Sequence, residues 1–332
     1  MKQFFILLSL CCGFFTTDSF ANCSENNEQC TEIGKWEFSV AVGAGVATNP
    51  VRDGDNVPLV ILPYINYYGD KFFFDNTTTG YTFVEQDRFD VSFIAQLNTE
   101  QAYFERFHPS NILVKNTFTG ESSNPVITPE PDESNPPTSQ PGSDGVDSDG
   151  DSGITDDGND SNNDKEEQPE PNEPAESISL DTISKRDWAL DGGILAHWYF
   201  ENSSKLTLVW LHDVTNTYQG YHGSLDYSFV IPIQTDNPSR LKIKLGAEYK
   251  GKALVDYYYG ISLKDSQSQH HLYQGKSTVN PYVGVAFNYK LNSSWQLKFS
   301  ARHTWLGSGI KESPLVDQNS SSNIFIGGLY EF

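Results

Sequence analysis

The chain has 332 residues and a formal net charge of −22, because 44 Asp and Glu residues stand against 22 Lys and Arg. This balance lacks the basic footprint of a nucleic-acid-binding protein and argues against nucleic acid as a partner. The chain is rich in aromatic residues, with 17 Tyr, 21 Phe and 6 Trp, and has a single Met. That composition favours β-structure over a Leu- and Met-rich helical core.

The N-terminus has the pattern of a secretory signal peptide. A short basic start is followed by an apolar run from Phe4 to Phe15 and a small-residue cleavage site that ends at Ala21. We therefore expect a signal peptide over 1–21, cleaved on export. Beyond it no apolar stretch approaches the roughly 18 residues that a transmembrane helix needs.

The segment 22–34 is expected to form a periplasmic N-terminal segment of the exported protein. It contains Cys23 and Cys30, the two cysteines that remain after cleavage. In an oxidising compartment these two thiols are expected to form one disulfide that closes a short loop.

A low-complexity acidic insert divides the chain. Between Glu121 and Ser177 there are 17 Asp and Glu residues and one basic residue, Lys165, so this stretch carries −16 of the net charge. Its Pro, Ser, Asn, Asp and Gly residues cannot bury enough apolar surface to offset chain entropy. We therefore predict a disordered insert over 117–182, which could serve as a flexible tether.

The two flanking blocks, 35–116 and 183–332, alternate apolar and polar residues with the period of β-strands. In 89–98, for example, Phe89, Val91 and Phe93 share one face, and Asp90 and Ser92 share the other. Twelve windows show such a pattern: 35–46, 57–68, 71–84, 88–98, 187–200, 204–213, 217–231, 240–250, 254–263, 279–290, 294–305 and 323–332.

Most of these windows have about ten residues, the length at which a tilted strand crosses a bilayer. The sequence therefore predicts an all-β fold, a transmembrane antiparallel β-barrel of about 12 strands, with 10 to 14 strands as the range. A soluble secreted barrel with a filled interior is the alternative.

The connections indicate an orientation. With the N-terminus in the periplasm, the breaks at 69–70, 251–253 and 292–293 would be periplasmic turns, and 47–56, 264–278 and 306–322 would be external loops. The acidic insert, between the fourth and fifth predicted strands, would then leave the barrel on the periplasmic side.

The C-terminus resembles the signal by which the outer-membrane assembly machinery recognises barrel proteins. Phe332 is a terminal aromatic residue, Tyr330 lies two residues before it and Gly327 lies five before it. We expect these three residues to act as the assembly signal, and outer-membrane lipid and lipopolysaccharide to surround the folded barrel.

Several motifs in order resemble the MipA/OmpV family of outer-membrane proteins. They cover both strand-rich blocks, and the long acidic insert departs from the shorter connection usual in that family. The matching motifs are Gly43-Ala44-Gly45-Val46 with Pro50, Leu59 to Tyr64, Phe72-Phe73-Phe74, Gly80-Tyr81, Asp256 to Ile261, Ser313 to Val316 and Gly327 to Phe332.

The resemblance implies an outer-membrane scaffold that associates with peptidoglycan-synthesising machinery through a lytic transglycosylase and a bifunctional murein synthase. Other members of the family are outer-membrane antigens or porin-like proteins. The resemblance implies no catalytic residues and no cofactor, so we expect no enzyme activity.

The polar faces of the predicted strands would line the lumen. Opposite charges there could pair into a network that blocks the bore, or could line a narrow pathway. The charged residues placed in the lumen are Asp90, Asp187, Asp191, Lys242, Lys244, Glu248, Lys298 and Arg302.

Three other groups of residues have the residue types of a chemical site. His108 and Ser110 have the spacing of a Ser–His hydrolase pair, but Pro109 between them favours a turn. Asp147, Asp149 and Asp151 alternate as in a calcium loop but lack its closing Glu. The adjacent histidines 270 and 271 have no third metal ligand nearby in the sequence.

The sequence thus predicts an outer-membrane scaffold, exported through a cleaved signal peptide, that positions peptidoglycan enzymes at its periplasmic side, with no catalytic or metal site of its own. A porin-like channel for small solutes and a surface antigen or adhesin are the alternatives.

Overall fold

The computed structural model describes residues 33–113, 178–201, 204–233, 239–265 and 271–332. The predicted signal peptide, Cys23, Cys30, the calcium-like Asp147 to Asp151 and most of the acidic insert lie outside these ranges. Among the described residues, no helix has the length and apolar character needed to cross a membrane.

The strands form one antiparallel sheet that closes on itself. Their bounds are β1 (Trp36–Ala47), β2 (Val57–Pro58), β3 (Ile61–Tyr68), β4 (Phe72–Asp75), β5 (Thr78–Gln86), β6 (Phe89–Leu97), β7 (Leu190–Tyr199), β8 (Lys205–Asp213), β9 (Tyr221–Ile233), β10 (Ser239–Lys250), β11 (Thr278–Lys290), β12 (Trp295–Trp305) and β13 (Ser320–Glu331). From β3 onward each strand pairs with the next one in sequence, β1 pairs with both β2 and β3, and β13 pairs with β1 to close the ring.

The short β2 and β3 both pair with β1 and act as a single strand interrupted at Leu59 and Val60. The barrel therefore has twelve strands, as the sequence predicts. The helices lie in the connections: a 3₁₀ helix (Glu100–Tyr103), α1 (Pro109–Ile112), α2 (Lys252–Tyr259) and α3 (Ser308–Lys311).

The strand count is right although two of the predicted windows are wrong. The window 71–84 is a hairpin of two strands, β4 and β5, whose tip is Asn76. Asn76 adopts a φ of 51°, a conformation that Asn tolerates well, and its side-chain oxygen accepts a hydrogen bond from the Ile65 backbone N–H at 2.9 Å. The side chain thus fastens the hairpin tip to β3.

The window 254–263 is not a strand, because its N-terminal part belongs to the helix α2. The buried side chains Leu254, Val255, Tyr258 and Tyr259 follow helical spacing, and Gly251 and Gly260 bound the helix. The predicted periplasmic turn at 251–253 is therefore also wrong, since the segment opens a long connection that contains α2.

The two ends of the barrel differ in their connections. The "turn end" holds both ends of the described chain and the short turns 69–71, 87–88 and 291–294. The "loop end" holds the described parts of five long connections, which are 48–56, 98–113 with 178–189, 214–220, 251–265 with 271–277, and 306–319.

Because the extra hairpin precedes the insert, five barrel strands rather than four come before it. Residues 98–113 and 178–189, which flank the insert in sequence, consequently lie at the loop end. The prediction that the insert leaves the barrel on the same side as the short turns is wrong.

The strand faces divide as their alternation predicts. In β6 the inward Asp90 and Ser92 are buried, whereas the outward Phe93 is 56% exposed. Tryptophans lie near the strand ends, with Trp36, Trp198 and Trp295 at the turn end and Trp188 and Trp305 at the loop end. An apolar outer face bounded by aromatic side chains is the surface that a membrane barrel presents to lipid.

Candidate functional site: a capped polar lumen

The loop end carries a compact apolar cluster, which we call the cap. All five long connections contribute to it, and its largest fully buried side chains include Tyr258 and Tyr259 of α2. The buried members are Val51, Ile178, Ala189, Tyr218, Leu254, Val255, Tyr258, Tyr259, Ile261, Leu306, Ile310, Leu315 and Val316. Burial of this many apolar side chains gives the connections a hydrophobic core of their own.

Hydrogen bonds join the connections within the cap. The guanidinium of Arg186 donates to the Gly260 carbonyl at 2.9 Å. The Ser313 hydroxyl donates to the Tyr259 carbonyl at 2.6 Å, and the Tyr257 hydroxyl accepts from the Asp187 backbone N–H at 2.8 Å. Asp187 is thus exposed in the cap, so the prediction that it faces the lumen is wrong.

Below the cap, charged side chains on the inner face pair with one another within a strand or between nearby strands. Glu248 binds Arg302 through a hydrogen bond and lies 3.7 Å from the Lys250 ammonium. Lys244 lies 3.4 Å from Asp226 on the neighbouring strand. Pairing of this kind offsets the cost of removing the charges from water.

Two of the inward cations also contact aromatic rings. The Lys298 ammonium lies 4.1 Å from the centre of the Tyr64 ring, and the Arg302 guanidinium lies 3.7 Å from the centre of the Tyr282 ring. Both distances are within the range of cation–π attraction.

Two inward carboxylates are enclosed by hydrogen-bond donors. Asp191 is fully buried and contacts the Asn98 amide at 2.7 Å, the Tyr218 hydroxyl at 2.5 Å and the His222 ring at 2.8 Å. Burial, together with the adjacent Asp191 carboxylate, raises the pKa of Tyr218, so its hydroxyl stays protonated and donates.

The second carboxylate, Asp90, lies nearer the turn end. It contacts the His197 ring at 3.0 Å and accepts from the Tyr199 hydroxyl at 2.7 Å. The described inner face is therefore lined with polar groups that contact one another, although the side-chain nitrogen of Asn280 is buried without a hydrogen-bond partner. The inward side chains that are at most 7% exposed include Asp90, Asp191, Asp226, Lys250, Asn280 and Lys298.

One carboxylate connects the cap to this lumen. Glu100, in the 3₁₀ helix that follows β6, accepts from the Lys250 ammonium at 2.5 Å and from the Tyr259 hydroxyl at 2.6 Å. Burial and the adjacent Glu100 raise the pKa of Tyr259, so that its hydroxyl remains a donor. Sequence patterning misses Glu100 because it lies in a connection and not in an alternating strand.

His108 and Ser110 do not form a hydrolase pair. The Nδ1 atom of His108 accepts a hydrogen bond from the Ser110 backbone N–H at 3.2 Å and so caps α1. No hydrogen bond joins the imidazole to the Ser110 hydroxyl, which is buried without a partner. Burial lowers the pKa of His108, which keeps the ring neutral as an acceptor.

Two histidines in the strands, His212 and His303, make structural contacts. The Nδ1 atoms of His212 and His303 lie 2.9 Å from the Gly220 carbonyl and 2.7 Å from the Ser322 hydroxyl. His270 lies outside the described residues. Within the described ranges, no three His, Cys, Asp or Glu side chains come together as metal ligands.

The C-terminal strand forms the seam of the barrel. Gly327 of β13 lies directly opposite Gly43 of β1, and Tyr330 pairs with Val40. A Cβ atom on Gly327 would lie 2.5 Å from the Val42 carbonyl oxygen, so the seam requires glycine there. Phe332 is 82% exposed at the turn end, where it packs edge-to-face against Tyr330.

The sequence model of one protein family matches this chain over residues 40–332, which include every strand of the barrel except the start of β1. The family is described as MltA-interacting protein MipA. The chain belongs to the MipA family. This membership and the barrel place the protein in the outer membrane of a Gram-negative bacterium.

Three relatives illustrate the similarity. The chain is 26% identical to outer membrane protein OmpV of Vibrio cholerae over 139 residues, 42% of this chain and 52% of OmpV. It is 27% identical to the putative outer membrane protein YiaT of Escherichia coli over 160 residues, 47% and 63% of the two chains. It is 29% identical to the MltA-interacting protein of Escherichia coli over 89 residues, 26% and 36% of the two chains.

The chain thus spans about half the length of OmpV and less of the MltA-interacting protein. Among solved structures, outer membrane protein H of Pseudomonas aeruginosa in micelles matches with 14% identity and a TM-score of 0.22, over 52% of this chain and 94% of that one. A TM-score this low carries no argument about the present barrel.

Proposed function

We propose that this MipA-family protein is a non-catalytic outer-membrane anchor that holds peptidoglycan-synthesising and peptidoglycan-cleaving enzymes at its turn end. The observation that supports the proposal is the capped lumen. Its charged side chains pair with one another, and the cap covers its loop end. A conducting pore needs polar groups that remain available to water and solutes, so this arrangement argues against the porin-like alternative.

In outer-membrane barrels the short turns face the periplasm and the long loops face outward. The turn end would therefore face the peptidoglycan layer, and exposed turn residues such as Asp70 and Ser293 would be available to partners. A relative whose name is MltA-interacting protein supports this choice of partner. The family resemblance, which implies a lytic transglycosylase and a bifunctional murein synthase as partners, agrees with it. An anchored partner would gain effective concentration near its substrate.

The position of the residues that flank the acidic insert argues against its acting as a periplasmic tether. Its flanking residues lie at the loop end, which by the same orientation faces the outside of the cell. This exit favours an external role for the insert itself, in line with the surface-antigen alternative. Anchoring at the turn end and display of the insert at the loop end are compatible in one molecule.

Site-specific photocrosslinking in intact cells tests the anchor. A photoreactive residue replaces Asp70 or Ser293 at the turn end, or Asp317 as the matched exposed position at the loop end. We expect peptidoglycan enzymes among the proteins captured from positions 70 and 293 and not from position 317. Their absence from both turn positions would overturn the proposal.

Planar-bilayer recording of the purified protein separates the anchor from the channel. A closed lumen predicts no stable single-channel steps. Stable steps of uniform size from the wild-type protein would instead show a conducting pore.

A further inference from the structure

An open pocket of about 390 Å³ lies at the turn end between the β5–β6 turn, the end of β7 and the β9 wall, and its lining includes Tyr199, whose hydroxyl binds the inward Asp90. Trp198 and Phe200 are 50% and 44% exposed on the outer face of the barrel. Tyr227 completes an aromatic wall, with its ring 6.0 Å from that of Phe200. The volume is in the range of small-ligand pockets, but the pocket is an open indentation of the surface and would leave part of a ligand uncovered.

Two opposite charges stand side by side at the pocket. The Arg88 guanidinium lies 2.6 Å from the Glu201 carboxylate, and their side chains are 68% and 80% exposed. An ion pair this exposed contributes little to folding, so it is free to exchange its contacts with a ligand at little cost. The pocket therefore offers one cationic and one anionic partner beside four aromatic residues, Trp198, Tyr199, Phe200 and Tyr227.

The position of the pocket at the edge of the membrane indicates which class of ligand can reach it. Trp198 and Phe200 lie at the end of β7 next to the turn, the level at which aromatic side chains meet lipid headgroups. Along the same outer face, Ile194 and Leu225 are 43% and 49% exposed and offer an apolar path for acyl chains. A membrane lipid can thus reach the pocket without leaving the bilayer.

We propose that this pocket binds the headgroup of a phospholipid that carries both a phosphate and a primary ammonium, as phosphatidylethanolamine does. Arg88 contacts the phosphate, because a guanidinium matches phosphate geometry with two parallel donors. Glu201 accepts from the ammonium, which lies against the aromatic wall as cations do on ring faces. A phosphatidylglycerol headgroup has no cation for Glu201, and a phosphatidylcholine headgroup has no N–H donor for it.

Native mass spectrometry of the full chain, released from nanodiscs, tests the site. The nanodiscs contain equal amounts of phosphatidylethanolamine, phosphatidylglycerol and phosphatidylcholine with the same acyl chains. We expect phosphatidylethanolamine to dominate the retained lipid by about threefold, the scale of one charge-assisted contact at a wet surface. Equal retention of the three lipids, or preference for either of the other two, would overturn the proposal.

Substitutions in the pocket test whether the lipid preference arises there. Arg88→Gln and Trp198→Ala should each reduce retained phosphatidylethanolamine, and Glu201→Gln should remove its advantage over phosphatidylglycerol. The matched control is the double variant Lys276→Gln, Glu312→Gln, which removes an exposed ion pair of 3.3 Å at the loop end and should leave the preference unchanged. Heat-modifiable migration on gels verifies that each variant is folded, and a preference that survives Arg88→Gln and Glu201→Gln in folded protein would contradict the assignment.

Discussion

The Glu100 carboxylate lies 2.5 Å from the Lys250 ammonium, and this contact joins the cap to the barrel wall. Glu100 belongs to the connection after β6, whereas Lys250 is the last residue of β10. The Tyr259 hydroxyl of α2 donates to the same carboxylate at 2.6 Å. One buried acidic group thus holds three separate parts of the loop end together.

Substitution Glu100→Gln should loosen the cap. It removes one charge of a buried pair and leaves the Lys250 ammonium with Glu248 at 3.7 Å as its nearest acid. Breaking a buried ion pair from one side costs about 3–5 kcal/mol. We expect faster hydrogen exchange in the peptide that covers α2, and single-channel events that the wild-type barrel lacks.

The matched control for this variant is Glu312→Gln, which removes an exposed acidic group of the same cap. An exposed ion pair contributes about 0–1 kcal/mol, so exchange in α2 should stay close to the wild-type rate. If Glu100→Gln exchanged as slowly as Glu312→Gln, the contact with Lys250 would not hold the cap.

Much of the barrel is predictable from the sequence, because the alternation of apolar and polar residues shows which face of each strand points outward and which points into the lumen. Asp90 and Phe93 differ in burial in the way their opposite faces predict. The charges Lys244, Glu248 and Arg302 occupy the predicted inner face, although their pairing depends on register between strands, which one sequence does not contain. The cap is not predictable in this way, because its residues come from five connections with no shared period.

The errors in the strand windows also have physical reasons. Tyr257 to Tyr259 have a high strand propensity, but the tertiary contacts of Leu254, Val255 and Tyr258 favour a helix. The spacing of these apolar residues and the flanking glycines are the signals that could have identified α2. At β4 and β5, Asn76 marks a tight turn within what looks like one long strand.

The revised strand order predicts that the acidic insert is accessible from outside the cell. An epitope tag placed within 121–177 should bind antibody on intact cells, because 98–113 and 178–189 lie at the loop end. A tag in the turn 291–294 is the matched control and should bind only after the outer membrane is permeabilised. The reverse pattern of labelling would show that the barrel has the opposite orientation.

Deletion of 121–177 should leave the barrel intact, because the twelve strands that close the ring lie in the described residues on either side of this range. The expected result is unchanged heat-modifiable migration of the shortened protein, measured in outer-membrane fractions. Loss of that migration would show that the insert takes part in folding.

The seam between β1 and β13 should not tolerate a side chain at position 327. In Gly327→Ala the new Cβ atom would lie 2.5 Å from the Val42 carbonyl oxygen and 2.7 Å from the Phe325 ring, so the strands must move apart. We expect a lower yield of folded barrel in the outer membrane. Gly284→Ala is the matched control, because its Cβ atom would have no neighbour closer than 3.6 Å. Equal yields of the two variants would contradict a steric requirement at the seam.

Protonation of Asp265 at strongly acidic pH should weaken the hydrogen bonds that join this residue to Ser184 and Ser262. Its carboxylate accepts from the backbone N–H groups of Ser184 at 2.8 Å and Ser262 at 3.0 Å, and from the Ser262 hydroxyl at 2.8 Å. Burial opposes ionisation, but these hydrogen bonds outweigh it and lower the pKa of Asp265 to about 2.

Since an unfolded Asp titrates near pH 3.9, the stabilisation by Asp265 is fully present above about that pH and is lost as the pH falls through about 2. The amide resonance of Ser184, followed by NMR between pH 7 and pH 2, should stay constant until below about pH 3. In Asp265→Asn this titration should disappear, and the amide should exchange faster already at pH 7 because the charged acceptor is gone. A titration midpoint of Ser184 at or above pH 3.9 would show that the hydrogen bonds do not favour the ionised carboxylate.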